Sequence, residues 1–104
     1  MLLACAGQPH KPIPRPSEET QAKRLALIEE LQKLGVFGKI EPTEAWVKPV
    51  FYSRNFADRT AYASLVFAYF HEGPEQSTSR LELRDNQTGK VVGEYTLRSG
   101  LVMH

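Results

Sequence analysis

Ala61-Tyr62-Ala63-Ser64-Leu65-Val66-Phe67-Ala68-Tyr69-Phe70 is the stretch whose reading decides the fold. Only Ser64 interrupts an otherwise apolar and aromatic run. A surface helix carries one apolar stripe and a half-exposed strand one apolar face, so a segment apolar all round is buried on more than one side. Spanning a bilayer takes roughly 20 apolar residues as helix, which makes this an internal element of a globular domain. Composition favours helix over strand, with three alanines, one leucine and a single β-branched residue, Val66. Asp58 is placed to cap the N-terminus, and Gly73-Pro74 stops the helix behind His71 and Glu72. The expectation is a helix over 58–72. Tyr62, Leu65, Val66 and Tyr69 form one stripe on it, and Ala63, Phe67 and Phe70 form another. Two stripes require two partners, a sheet on one side and a second helix on the other.

Upstream, residues 17–34 supply that second helix. Ser17 is a suitable N-cap, and Glu18 and Glu19 put negative charge at the positive pole of the helix dipole. Leu27, Ile28, Leu31 and Leu34 form its apolar stripe, widened by Leu25 and Ala26, and a stripe of this kind is expected to face the core. Gly35 is positioned to take the left-handed residue after the last turn, with Val36 folding back on Leu31. Lys39-Ile40-Glu41-Pro42 reads as a short extended piece, and Glu44–Lys48 as a strand closed or marked as an edge by Pro49. Trp46, Phe51, Tyr52 and Phe56 then cluster within a few positions, beside Lys48 and Arg54. They read as the lid of the core or as a surface for stacking a partner, and they are the candidate interaction residues.

Downstream, Glu75–Thr78 is a polar loop. Leu81 and Leu83 alternate with Arg80, Glu82 and Arg84, the period of a half-buried strand. Asp85-Asn86-Gln87-Thr88-Gly89 carries turn chemistry, and Lys90–Thr96 returns as the paired strand, with Val91 and Tyr95 expected on the face of Leu81 and Leu83. Leu101-Val102-Met103 adds a last short strand. The fold class that buries these stripes is α+β and two-layered, two helices on a small, mostly antiparallel sheet, in the order helix, strand, helix, hairpin. Residues 17–104 form that single domain, and 1–16 a tail and proline-rich linker. A stripe of the central helix left without an internal partner would be covered by a second copy.

Composition sets wide bounds. Of 104 residues, 41% are hydrophobic and 24% charged, ordinary for a globular chain, and that length leaves room for one core. A formal net charge of +1 gives no long-range field to gather nucleic acid or an anionic membrane. Cys5 is the only cysteine, so no intrachain disulfide and no cysteine-based zinc site can form.

Few motifs carry chemistry. His10, His71 and His104 have no partner four positions away, so no zinc pair is expected, and His71 reads as a polar end to the apolar helix. Thr88-Gly89-Lys90 has the end of a phosphate loop, but Arg84 occupies the required glycine position and a hairpin replaces the strand-to-helix setting. Asn86-Gln87-Thr88 is a sequon, which matters only in a secreted eukaryotic chain. Glu18-Glu19 and Glu29-Glu30 lie on a helix surface, where solvation explains them. No cofactor and no catalytic or metal-ligating residue is assigned, and the reading leans away from an enzyme.

The N-terminus suggests a location. Leu2-Leu3-Ala4-Cys5 resembles a bacterial lipobox, in which the cysteine is lipidated after signal cleavage. The basic and long apolar regions of a full signal do not precede it, so the resemblance is to a truncated signal, and the alternative is a frayed terminus holding a free thiol. Prolines at 9, 12, 14 and 16 favour an extended spacer, which would hold a domain off a membrane surface. Their spacing also fits a ligand for aromatic grooves.

Trp46-Val47, Asp58–Phe70 and Asp85 with Thr88-Gly89-Lys90 together resemble small uncharacterised bacterial proteins. The resemblance covers 46–97, implies an α+β fold and brings no activity. The functional expectation is a non-catalytic envelope domain, lipid-anchored through Cys5, that binds another protein or a cell-wall component. The alternative is a cytosolic accessory protein, dimeric in the simplest case. A protein partner or second copy is expected, nucleic acid is not, and a membrane enters only through the anchor.

Overall fold

A computed structural model describes residues 13–104. Cys5, His10 and the first half of the proline-rich segment lie outside the described residues. The elements are α1 (Glu18–Lys33), β1 (Phe37–Glu41), β2 (Glu44–Val47), α2 (Pro49–Ser53), α3 (Phe56–His71), a 3-10 turn (Gln76–Thr78), β3 (Leu81–Asp85), β4 (Val91–Thr96) and β5 (Gly100–Met103). The strands form one sheet in the order β1-β2-β3-β4-β5. Each neighbouring pair is antiparallel except β2 and β3. That exception has a covalent cause: α2 and α3 connect β2 to β3, and a helical crossover returns the chain to the same end of the sheet. The fold is α+β, as the alternating and helical periods require.

The central helix packs against the sheet and against α1. Ala63, Val66 and Phe67 are buried, and α3 packs on β4 and β5 with this stripe. α1 packs along its other side. Gln21 Nε2 donates to Tyr69 O at 2.7 Å, Arg24 pairs with Glu72, and Leu27 and Leu31 lie beside Ala61, Tyr62 and Leu65. Numbers rising along one helix meet numbers falling along the other, so α1 and α3 are antiparallel.

Two boundaries and the burial of one stripe differ from expectation for identifiable reasons. Asn55, not Asp58, caps α3: its side chain accepts from Asp58 N at 2.8 Å. Asp58 therefore sits in the first turn, where its charge still favours the dipole. Pro49 does not merely end β2, because it opens α2 near the first helical position, which suits a residue with no N–H to lose. The third concerns α1, where Ile28 is the one buried residue of the stripe. Leu27 and Leu34 are 56% and 55% exposed, and Leu25 is 39% exposed. α1 meets α3 and the start of β1 along a narrow line, too narrow to cover a stripe spaced i, i+1, i+4, i+7.

The end of α1 follows the sequence closely. Gly35 has φ +81°, Gly35 N donates to Gln32 O at 3.1 Å, and Val36 N donates to Leu31 O at 2.9 Å. These two bonds close the helix as a Schellman motif and deliver Val36 and Phe37 fully buried into the core. In the other hairpin a bulge changes the pattern. Leu81 opposes Tyr95 and Leu83 opposes Gly93, but the register shifts before Arg84 meets Val91. Val92, not Val91, therefore packs on the core, since the extra residue of a bulge reverses the alternation beyond it.

Candidate functional site

Among the described residues no helix covers the outer face of the sheet. Residues that alternate with the buried Ala45, Val47, Leu81 and Leu83 point outward, which places Glu44, Trp46, Glu82 and Arg84 on one surface, joined by Glu94 and Val102. Arg84 organises it. Its Nε donates to Glu44 Oε2 at 2.6 Å, its Nη2 lies 2.9 Å from Glu82 Oε1, and its Nη1 donates to Gly89 O at 2.8 Å. Glu44 first, then Glu82, hold this guanidinium above its already high ordinary pKa. Arg80 extends the lattice to Glu94 at 3.5 Å and Glu82 at 3.9 Å.

At the end of the sheet where β2 and β3 begin, this surface runs into a cleft of about 360 Å³ lined by Thr43, Glu44, His71, Thr78, Ser79, Arg80 and Glu82. Three separate parts of the chain build it. The β1–β2 turn brings Thr43, whose carbonyl accepts from Glu82 N at 2.9 Å and so continues the β2–β3 ladder. The last residue of α3 brings His71. The 3-10 turn brings Thr78 and Ser79.

Three polar groups there have defined partners. His71 Nε2 lies 2.6 Å from Pro42 O, and a carbonyl can only accept, so Nε2 carries the proton. Its ring packs 5.1 Å from Phe67, centroid to centroid. Thr78 Oγ1 and Ser79 Oγ both donate to Glu75 O at 3.1 Å. Their protons serve the turn rather than an adjacent base, so neither hydroxyl is arranged as an activated nucleophile. What remains are acceptor lone pairs on two hydroxyls and two carboxylates, with donors from Arg80 and Thr43. This set binds by hydrogen bonding in both directions.

The aromatic residues singled out in the sequence do not form one surface. Trp46 is half-buried on the outer face two positions from Glu44, with Lys39 Nζ 5.0 Å from its ring centroid. Phe51 is fully buried, its ring 5.9 Å from Phe37. Tyr52 is part of the packing around the core, its hydroxyl donating to Asp85 Oδ1 at 2.7 Å. Burial first, then that hydrogen bond, pushes the phenol up to about 12. Phe56 is 57% exposed at the first turn of α3. None of the four lines the cleft, and Trp46 lies two positions along β2 from Glu44, which does. Thr43, His71, Arg80 and Glu82 were not legible as a site, because three distant segments of the chain meet there.

A second concavity, about 350 Å³ and apolar, runs between α1 and α3 and is lined by Leu27, Glu30, Leu31, Ala61, Tyr62 and Leu65. Among the described residues no helix is long and apolar enough to cross a membrane, and no group of three metal-ligating side chains converges. No family model matches this chain, and no curated protein or solved structure matches it.

Proposed function

We propose that this chain is a binding domain of the bacterial cell envelope, tethered through a lipid on Cys5 and the proline-rich spacer, that takes a cell-wall glycan in the polar cleft. The observation that carries the ligand class is the cleft lining. Carboxylates and hydroxyls accept, while a guanidinium and a hydroxyl donate, and a sugar presents hydroxyls that do both. About 360 Å³ accommodates a ligand of one or two rings. Among the described residues the ion pair of Glu44 uses only Oε2, and Glu82 Oε2 meets Arg80 only at 3.9 Å, so acceptor capacity remains after the ion pairs are made. Trp46 lies next along the face, and its ring becomes a stacking surface once Lys39 swings aside. That displacement costs about 0.5–1 kcal/mol at an exposed site. The lipobox-like Leu2–Cys5 and the proline spacing supply the tether, and the resemblance of 46–97 to small bacterial proteins supplies the source.

Titration of the ¹⁵N-labelled domain with chito-oligosaccharides and soluble peptidoglycan fragments tests the ligand. Shifts confined to Thr43, Glu44, His71, Ser79 and Glu82, abolished by Glu82→Gln, support the reading, and uniform or absent shifts refute it. Mass spectrometry of the native protein tests the tether: a chain starting at Cys5 with acyl mass supports it. A chain starting at Met1 with a free thiol favours the second reading, a cytosolic accessory protein. The exposed leucines of α1 speak for that reading, since they suit a protein contact.

A further inference from the structure

The two edges of the sheet are built differently, and the difference points to a partner. β1 is a protected edge. Its register shifts between Phe37 and Ile40, it carries Lys39 and Glu41, and Gln32 Nε2 reaches from α1 to Gly38 O at 2.9 Å. A bulge, charges and a covering side chain are the usual means of blocking strand addition. Among the described residues β5 has none of them. Gly100-Leu101-Val102-Met103 holds no charge and no proline, it pairs with β4 in unbroken register, and Val102 is 41% exposed.

The hydrogen-bond alternation shows what this edge offers. His104 N donates to Val92 O at 2.8 Å, and in an antiparallel ladder alternate residues bond to the same neighbour. Gly100 and Val102 therefore face β4, paired with Thr96 and Glu94. Leu101 and Met103 turn their N–H and C=O groups to the open side, where among the described residues no strand meets them.

We infer that β5 pairs antiparallel with β5 of a second copy across a two-fold axis, joining the two sheets into one. The strand fits itself. In the register that sets Leu101 opposite the second copy's Met103, every outward N–H of one strand meets an outward C=O of the other. The axis then passes between the two Val102 residues, which form a non-hydrogen-bonded pair with side chains about 4.5–5.5 Å apart on the outer face. A strand without charge meets no like charge when paired with its own copy, whereas β1 would set Lys39 and Glu41 against other charges. Two β-branched side chains facing each other are a favourable cross-strand pair. No residue of β5 lines the cleft, and the contact requires no particular compartment.

Analytical ultracentrifugation of the full chain in a Cys5→Ser background tests this. The dimer is expected, with loss of the dimer boundary in Val102→Lys, which brings two ammonium groups together at the axis. Met103→Pro is the second variant: it removes an N–H that points away from β4, so the internal ladder survives, and the dimer is again lost. Circular dichroism unchanged in both variants shows that the domain still folds. Val102→Cys in the same background should form a disulfide-linked dimer under mild oxidation, and Lys39→Cys should not. A wild-type chain that sediments as a monomer at its highest soluble concentration overturns the inference. So does a dimer that persists in both variants, or preferential cross-linking through position 39.

Discussion

The Tyr52 hydroxyl donates to Asp85 Oδ1 at 2.7 Å, joining α2 to the turn between β3 and β4 across 33 positions of sequence. The other carboxylate oxygen, Oδ2, accepts from Gln87 N at 3.0 Å and Thr88 N at 2.8 Å. Asp85 thus organises its own turn and anchors it to the helical layer. The Asp-x-x-Thr-Gly-Lys pattern, which invites a phosphate-loop reading, is a hairpin turn tied down from both sides.

This pair has a pH signature at each end. The bond from Tyr52 first, then the turn amides, hold Asp85 below the ordinary 3.8 of an aspartate. A group with a depressed folded pKa contributes stability above its unfolded value and loses it as pH falls through the folded one. Tyr52 is raised from 10.0 to about 12, so its contribution is complete below pH 10 and is lost as pH rises toward 12. Tyr52→Phe should return the Asp85 titration toward 3.8, read by carboxyl NMR, and remove the loss between pH 10 and 12. An unchanged Asp85 titration in the variant would contradict the contact.

The burial contrast between the helices gives a second expectation. Phe67 is 3% exposed and its ring lies 5.1 Å from that of Tyr95, so Phe67→Ala should cost about 3–5 kcal/mol in denaturant unfolding. Leu27 is 56% exposed, and Leu27→Ala should stay within about 0.5 kcal/mol. Equal costs would place α1 deeper than the structure has it.

Gly93 supplies a third. A Cβ there would stand 2.8 Å from Val102 O and 3.0 Å from Met103 Sδ. The carbonyl belongs to the β4–β5 ladder and cannot step aside. Gly93→Ala should therefore destabilise the domain by about 1–3 kcal/mol, as overpacking does. Thermal unfolding reads this, and an unchanged midpoint would contradict the tight approach of β5.

Much of this fold was written in local pattern. The Ser17 cap, the Gly35 stop, the alternation of Leu81 and Leu83 and the apolar sides of α3 are each short-range signals, and each predicts its element. What local pattern could not carry was competition between neighbours. Asn55 outdid Asp58 as a cap because Phe56 and Ala57 fit a helical turn. The bulge exchanged Val91 for Val92, which no alternation rule foresees. Val50, Phe51 and Tyr52 suit a strand by composition, yet Pro49 ahead of them starts a helix. The cleft was hidden for a different reason: Thr43, His71 and Glu82 meet only because a crossover returns β3 beside β2.

The whole arrangement depends on α3 packing against both the sheet and α1, and amide hydrogen exchange tests that directly. Amides of Ala63, Val66 and Phe67 should exchange only through global unfolding and match the stability from denaturant, while those in the first turn of α1 exchange much faster. Exchange at Val66 and Phe67 as fast as at Glu19 would contradict a buried α3, and the layers and the cleft at its end would have to be abandoned.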